Sequence, residues 1–356
     1  MKRCVDSKQE GSKDRYGAID GLRTIAALCI VIMHIGANGG YQITGYVFDT
    51  LIPAFNNFTF LFMTVSAFGM CCGYYERMLG KSADGTPQIN MTSFYKKRFI
   101  RVLPFFALLC LLDFALSPSI ESLYEVFANV TLLFGLLPNA GNITVIGVGW
   151  FLGLIFVFYL VFPFFCVLIE NKKRAWVSFG VSLIYTFVCA GYFGIERRNI
   201  LYCGCFFLAG GLIYLYRNEI RRIAREIKCS RWIMLGVVAV AVVFFYAVTT
   251  GPAGCLFLSV ALLLYAVMSS KTPDMRGGYS RLLENRFTKF ISGISMEVYL
   301  CHMVFFRVVE KFGFNSLIGS GWIQYVVTVV VVLVCAIVFS YVMRKIIDWC
   351  LTKLHI

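Results

Sequence analysis

Asp20-Gly21-Leu22-Arg23-Thr24-Ile25-Ala26-Ala27-Leu28-Cys29-Ile30-Val31-Ile32-Met33-His34 is the stretch on which the fold turns. It sits in an apolar run over 18–39, and about 17 to 25 such residues wound as a helix cross a hydrocarbon core of roughly 30 Å. Two basic side chains, Arg23 and His34, interrupt it eleven residues apart. At 100° per residue that spacing closes to within about 20° of three full turns, and at 1.5 Å per residue it separates them by about 16.5 Å. One helix face therefore carries an arginine at the rim and a histidine near mid-bilayer. An ionisable group at that depth is costly and calls for a reason. Asp20, at the helix start, can cap it or pair with Arg23.

Further apolar runs lie near 50–73, 102–117, 148–169, 175–193, 199–216, 232–249, 253–269, 290–310 and 321–343. With the first they predict an all-α integral membrane protein of ten transmembrane helices. The composition agrees: 59% of the 356 residues are hydrophobic and only 15% charged, with a mean hydropathy of +0.76. Those values exclude an ordinary soluble enzyme, a disordered regulator and a nucleic-acid-binding domain. No repeat or long linker divides the chain, so one domain over 1–356 is expected.

The formal charge of +14 reads as an orientation signal once each basic residue is placed. Cytoplasmic loops are enriched in Lys and Arg. With ten crossings, 29 of the 33 basic residues fall on one side, and only Arg197, Arg198, Arg307 and Lys311 on the other. An eleventh, moderately apolar stretch, 122–138, would invert every later loop if it crossed, so it is expected to be a short re-entrant or surface-lying segment. Both ends are then cytoplasmic: a segment 1–17, spans over about 18–343, and a tail 344–356. Trp150 and Trp322 fall at outer ends and Trp176 and Trp232 at inner ends, as interfacial anchors do. The partner implied is a lipid bilayer and not nucleic acid. The fourteen cysteines are scattered through apolar stretches and read as small buried hydrophobes. With three histidines they form no zinc pattern, so neither a metal site nor a tightly bound cofactor is expected.

An imidazole that changes charge near neutral pH suits a general base that takes a proton from a hydroxyl. A core histidine bonded to a neighbouring helix fits His34 equally well on chemistry alone. On a single helical face of the ninth run lie Ser295, Tyr299 and His302, the last most simply a structural hydrogen-bonding residue. Glu297 points roughly 140° away from His302 and needs a partner on another helix. Asp113 and Arg307 lie near outer ends and reach the interface, and Glu196, Arg197 and Arg198 read as an exposed hydrophilic turn.

Several motifs resemble those of the acyltransferase 3 family, the integral-membrane acyltransferases. Asp20-Gly21-Leu22-Arg23, then ten residues and His34, is similar to its Arg-x10-His signature. Lys97-Arg98-Phe99-Ile100-Arg101-Val102-Leu103-Pro104 resembles its basic cluster before a helix. Leu61-Phe62-Met63-Thr64-Val65-Ser66-Ala67-Phe68 resembles its second-span pattern, with Ala67 where Gly is usual. Trp150-Phe151-Leu152, Phe158-Tyr159-Leu160 and Pro163 resemble a fourth-span motif, with Ile155 where many members carry Glu. Ser295, Tyr299, Leu300 and His302 resemble a late motif.

The resemblance implies an O-acyltransferase, with acetyl the commonest group, that uses acyl-coenzyme A as co-substrate. The acceptor implied is a hydroxyl of an extracytoplasmic glycan or envelope polymer, and the location a bacterial plasma membrane. His34 would be the catalytic base, with Arg23 guiding the donor's diphosphate or pantetheine arm. Lys97, Arg98 and Arg101 would bind the donor phosphates. Ser66, Tyr299 and Trp150 are candidate oxyanion donors, and Asp20, Glu297 and His302 candidate supports. A polysaccharide exporter of the same fold is the competing expectation.

Overall fold

The computed structural model describes residues 15–80, 88–116, 118–137, 147–271, 280–313, 319 and 321–354. Among these residues every regular element is helical. The chain begins with α1 (Ala18–Asn38), followed by α2 (Phe58–Leu79), which is entered through short turns over 47–57. Next come α3 (Met91–Leu116), the short α4 (Ile120–Val130) and α5 (Trp150–Ile169). After α5 follow α6 (Lys172–Ile184), prolonged to Phe193 through a π turn, then α7 (Ile200–Leu215) and α8 (Arg217–Glu226). The last are α9 (Ser230–Ala247), α10 (Pro252–Ser269), α11 (Arg286–Lys311) and α12 (Trp322–Lys353).

Helices occupy all ten expected positions. Eight of them are long and apolar enough to cross a membrane, or nine if α7 and α8, bent by 58°, count as one. The remaining position is α3, whose first half holds Lys96, Lys97, Arg98 and Arg101. Its apolar half is too short to cross a membrane by itself. The expected count of ten is thus slightly higher than the eight to nine that length and composition support.

The stretch 122–138 follows its expectation. About 16 Å of helix, eleven residues at 1.5 Å each, cannot span roughly 30 Å of hydrocarbon. Ser119 starts α4, its hydroxyl accepting from the Ser122 N–H at 3.0 Å. Ile120, Leu123, Tyr124 and Phe127 are exposed at i, i+3, i+4 and i+7 and form one apolar stripe. Leu132, at φ 59°, then turns the chain so that Phe134 packs on Gly153 of α5. Pro138 lies outside the described residues.

Helix α1 is the hub, packed by α2, α10, α11 and α12, while α2 also pairs with α7 and α11 with α12. Bilayer helices associate through close backbone approach at small residues, since lipid tails are as apolar as leucine. Gly210 of α7 shows why: a Cβ there would strike the Thr64 carbonyl of α2. In contrast, α6 and α9 expose Val177, Val181, Val188, Ile233, Val240 and Val243. In a bilayer such apolar faces meet lipid rather than water. The final helix differs from its expectation. No breaker follows residue 343, and Arg344 and Asp348 make an i,i+4 pair at 3.2 Å. The helix therefore continues through the expected tail to Lys353.

Candidate active site

Arg23 and His34 lie in two different cavities at opposite ends of α1. The first has a volume of about 640 Å³, within the range of small-molecule sites, about 300–1,000 Å³. Five cationic side chains line it, Arg23, Lys97, Arg98, Arg101 and Arg344, against the carboxylates Glu297 and Asp348. The expected donor-binding cluster is thus assembled with Arg23, from helices distant in sequence. Arg344 was hidden in a segment read as a tail, and its i,i+4 pair with Asp348 was the signal that the helix continues.

The cations are not equally free. Glu297 is buried and accepts from Arg344 at 2.7 Å, with Arg101 at 3.6 Å, so it ties α11 to α12 and α3. Arg101 also donates to the Gly293 carbonyl at 3.0 Å. Arg98 donates to the Tyr74 hydroxyl at 2.5 Å and lies over the rings of Tyr74 and Tyr159. Lys97 is exposed. Arg23 makes no hydrogen bond or ion pair among the described residues, and its guanidinium passes over Gly69, where a Cβ would come within 2.9 Å. Asp20 neither caps α1 nor pairs with Arg23. One of its oxygens bonds Arg15 at 2.5 Å and the other accepts from the Ser292 hydroxyl at 2.9 Å.

The second cavity, of about 350 Å³, is lined by His34, Asn38, Asn56, Trp150, Arg197, Arg198 and Arg307, among others. Arg197 departs from the expected solvent turn: it is only part-exposed, folded into the wall. It donates to the Asn56 carbonyl and the Thr59 hydroxyl, both at 2.8 Å, and lies 5.2 Å from the ring centres of Phe60 and Trp150. Burial pulls its pKa below the usual arginine value.

Between the cavities stands one turn of α11. Tyr299 lines the first cavity, and its hydroxyl donates to the carbonyl of Val148, which lines the second, at 3.0 Å. Phe62 and Phe151 pack on Tyr299 with ring centres 6.5 and 5.5 Å away. His302, fully buried, places Nδ1 2.6 Å from the Tyr299 carbonyl and Nε2 3.2 Å from Nδ1 of His34. A carbonyl can only accept, so Nδ1 of His302 carries the proton and its Nε2 holds a lone pair. For two neutral rings, His34 must then donate from Nδ1, which leaves its Nε2 unprotonated and able to take a proton. His302 is therefore a hydrogen-bonding residue, as expected, but its partner is His34 itself.

Of the candidate oxyanion donors, Tyr299 already donates to Val148 and Trp150 lies in the second cavity. Ser66 lines the first, and its hydroxyl is unpartnered among the described residues.

No curated protein and no solved structure matches the chain. The model of an acyltransferase domain, acyltransferase 3, matches residues 16–343, nearly the whole chain and every residue lining the two cavities except Arg344, Ile347 and Asp348 of the first. The protein thus belongs to the acyltransferase 3 family and is a multi-pass membrane acyltransferase.

Proposed function

We propose that this protein moves an acyl group, acetyl in the first instance, from cytoplasmic acyl-coenzyme A to a hydroxyl of an extracytoplasmic carbohydrate or envelope polymer. The observation that carries the reading is a pair of cavities separated by one turn of α11, whose His302 holds His34 in the wall of the second, 3.2 Å between ring nitrogens. The cavity with five cations suits the phosphates of the donor, whose charge Arg and Lys bind well. The excess of basic residues supports a cytoplasmic placement of this end and of both termini.

The acceptor enters from the opposite end, and Nε2 of His34 removes the proton from its hydroxyl. The oxygen attacks the thioester carbonyl, a C–O bond forms, the C–S bond breaks, and coenzyme A leaves as a thiolate. The proton held on His34 is then available to that thiolate or to water. The acyl end of the donor reaches the histidine past Phe62, Phe151 and Tyr299, and Arg23 guides the arm that carries it. Besides Tyr299, two candidate oxyanion donors remain: the Ser66 hydroxyl in the donor cavity, unpartnered among the described residues, and the Trp150 indole N–H in the cavity of His34. Holding both reactants in a dry site removes much of the barrier to a reaction that is bimolecular in water.

The same aromatic layer weighs against polysaccharide export, which needs a continuous polar path. The test compares surface glycans of cells with and without the gene by mass spectrometry. Loss of a mass increment of one acyl group is expected; identical spectra would refute the reading.

A further inference from the structure

The cavity beside His34 has an electrostatic character that neutral carbohydrate chemistry does not require. By the order of the apolar runs, only four of the 33 basic residues in the sequence are expected at the far end of the bundle, Arg197, Arg198, Arg307 and Lys311. Three of those four converge on the histidine's cavity, and no Asp or Glu lines it among the described residues. The undescribed neighbours in sequence, 138–146 and 314–318, contain no acidic residue either. Scattered interfacial cations would not gather in this way.

One of the three is built into the wall. Arg197 is fixed by two hydrogen bonds and by stacking on Trp150. Both of those bonds are made by one terminal nitrogen, Nη2, and Nη1 makes none among the described residues, so a terminal N–H group remains for an oxyanion in the cavity that Arg197 lines. Arg198 and Arg307 are exposed at the mouth and make no ion pair among the described residues. Beside them, the Asn56 amide is likewise unpartnered among the described residues, and Trp150 offers an aromatic face. Amide, indole and arginine together form a surface for a sugar ring that bears an oxyanion.

We infer that the acceptor is an anionic carbohydrate: a sugar with a carboxylate or phosphate that Arg197, Arg198 and Arg307 bind while His34 faces the hydroxyl to be acylated. The inference deepens the proposed function and rests on His34 serving that cavity. Charge recognition also lets a mouth of modest size select such a sugar from the neutral sugars around it.

The test measures binding to the purified full-length protein in lipid nanodiscs by calorimetry. The probes are trigalacturonate, its methyl ester, in which the carboxylates are capped and uncharged, and mannose 6-phosphate, which separates phosphate from carboxylate recognition. Acetyl-coenzyme A is titrated in parallel. At least one anionic probe is expected to bind tenfold or more tightly than the neutral ester. Combining Arg198→Ala with Arg307→Ala should abolish that preference and leave acetyl-coenzyme A binding unchanged. Equal binding of charged and neutral probes, binding of none, or a preference that survives the double substitution would overturn the inference. Failure of acetyl-coenzyme A to bind, with the anion preference intact, would instead remove the proposed donor and leave the anionic site standing.

Discussion

Replacing His302 should slow acyl transfer without weakening donor binding, because its Nε2 is the acceptor that keeps the His34 proton on Nδ1. His302→Phe fills the same space and removes that acceptor. The Tyr299 carbonyl that His302 bonds lies within a helix and keeps its backbone partner, so the substitution strands no further group. The lost bond is between neutral groups, worth about 0.5–1.5 kcal/mol net, and each 1.36 kcal/mol of barrier is about tenfold in rate. Rotation of His34 into the freed direction adds to this, since a displacement of about 1 Å costs up to 10²-fold. The expected fall in kcat is therefore about ten- to a hundredfold, with KM for acetyl-coenzyme A within a factor of about two. His302→Gln restores an acceptor and should recover part of the loss. The assay is steady-state transfer from labelled acetyl-coenzyme A in nanodiscs, with thermal unfolding to show that each variant is folded. Unchanged kcat in a folded His302→Phe protein, or a loss confined to KM, would refute the hydrogen-bond chain.

Arg344→Ala should raise the dissociation constant for acetyl-coenzyme A about tenfold, or roughly 1.4 kcal/mol, whereas Lys345→Ala, outside the cavity lining, should not; titration of both variants at two salt concentrations checks this. Glu297→Ala releases Arg344 and Arg101 from their shared carboxylate. Bonds to charged groups contribute about 1.5–3 kcal/mol, so its unfolding midpoint should fall, and an unchanged midpoint would show that the pair holds nothing together. Gly210→Val, forced against the Thr64 carbonyl, should destabilise by about 1–3 kcal/mol, while Gly236→Val on the open face of α9 should be near neutral; chemical denaturation of the two compares them directly.

What could be read from the sequence followed from periodicity within single helices. The eleven-residue spacing of Arg23 and His34 and the apolar runs are local properties, and the structure keeps both. The contact of His34 with His302 could not be read in the same way, because it joins residues 268 positions apart and no helical period encodes which face of α11 meets α1. Hydropathy also misplaced Arg344, since it marks where apolar residues stop rather than where hydrogen-bonded turns stop. Arg197 was concealed by its neighbours: Glu196 and Arg198 are solvent-exposed as a turn should be, and only tertiary packing against Trp150 and Phe60 turns the middle residue inward. Asp20 had two plausible local partners, and the fold gave it Arg15 and Ser292 instead.

The central claim, that His34 is the base at a junction between a donor cavity and an acceptor cavity, is tested most directly in sided proteoliposomes. Labelled acetyl-coenzyme A is supplied at the face bearing Arg23 and Arg344, an envelope glycan extract at the opposite face, and label in the glycan is counted. Wild-type protein should transfer label across the bilayer, and folded His34→Ala protein should transfer none while still binding acetyl-coenzyme A. Transfer at the wild-type rate by His34→Ala would contradict the claim.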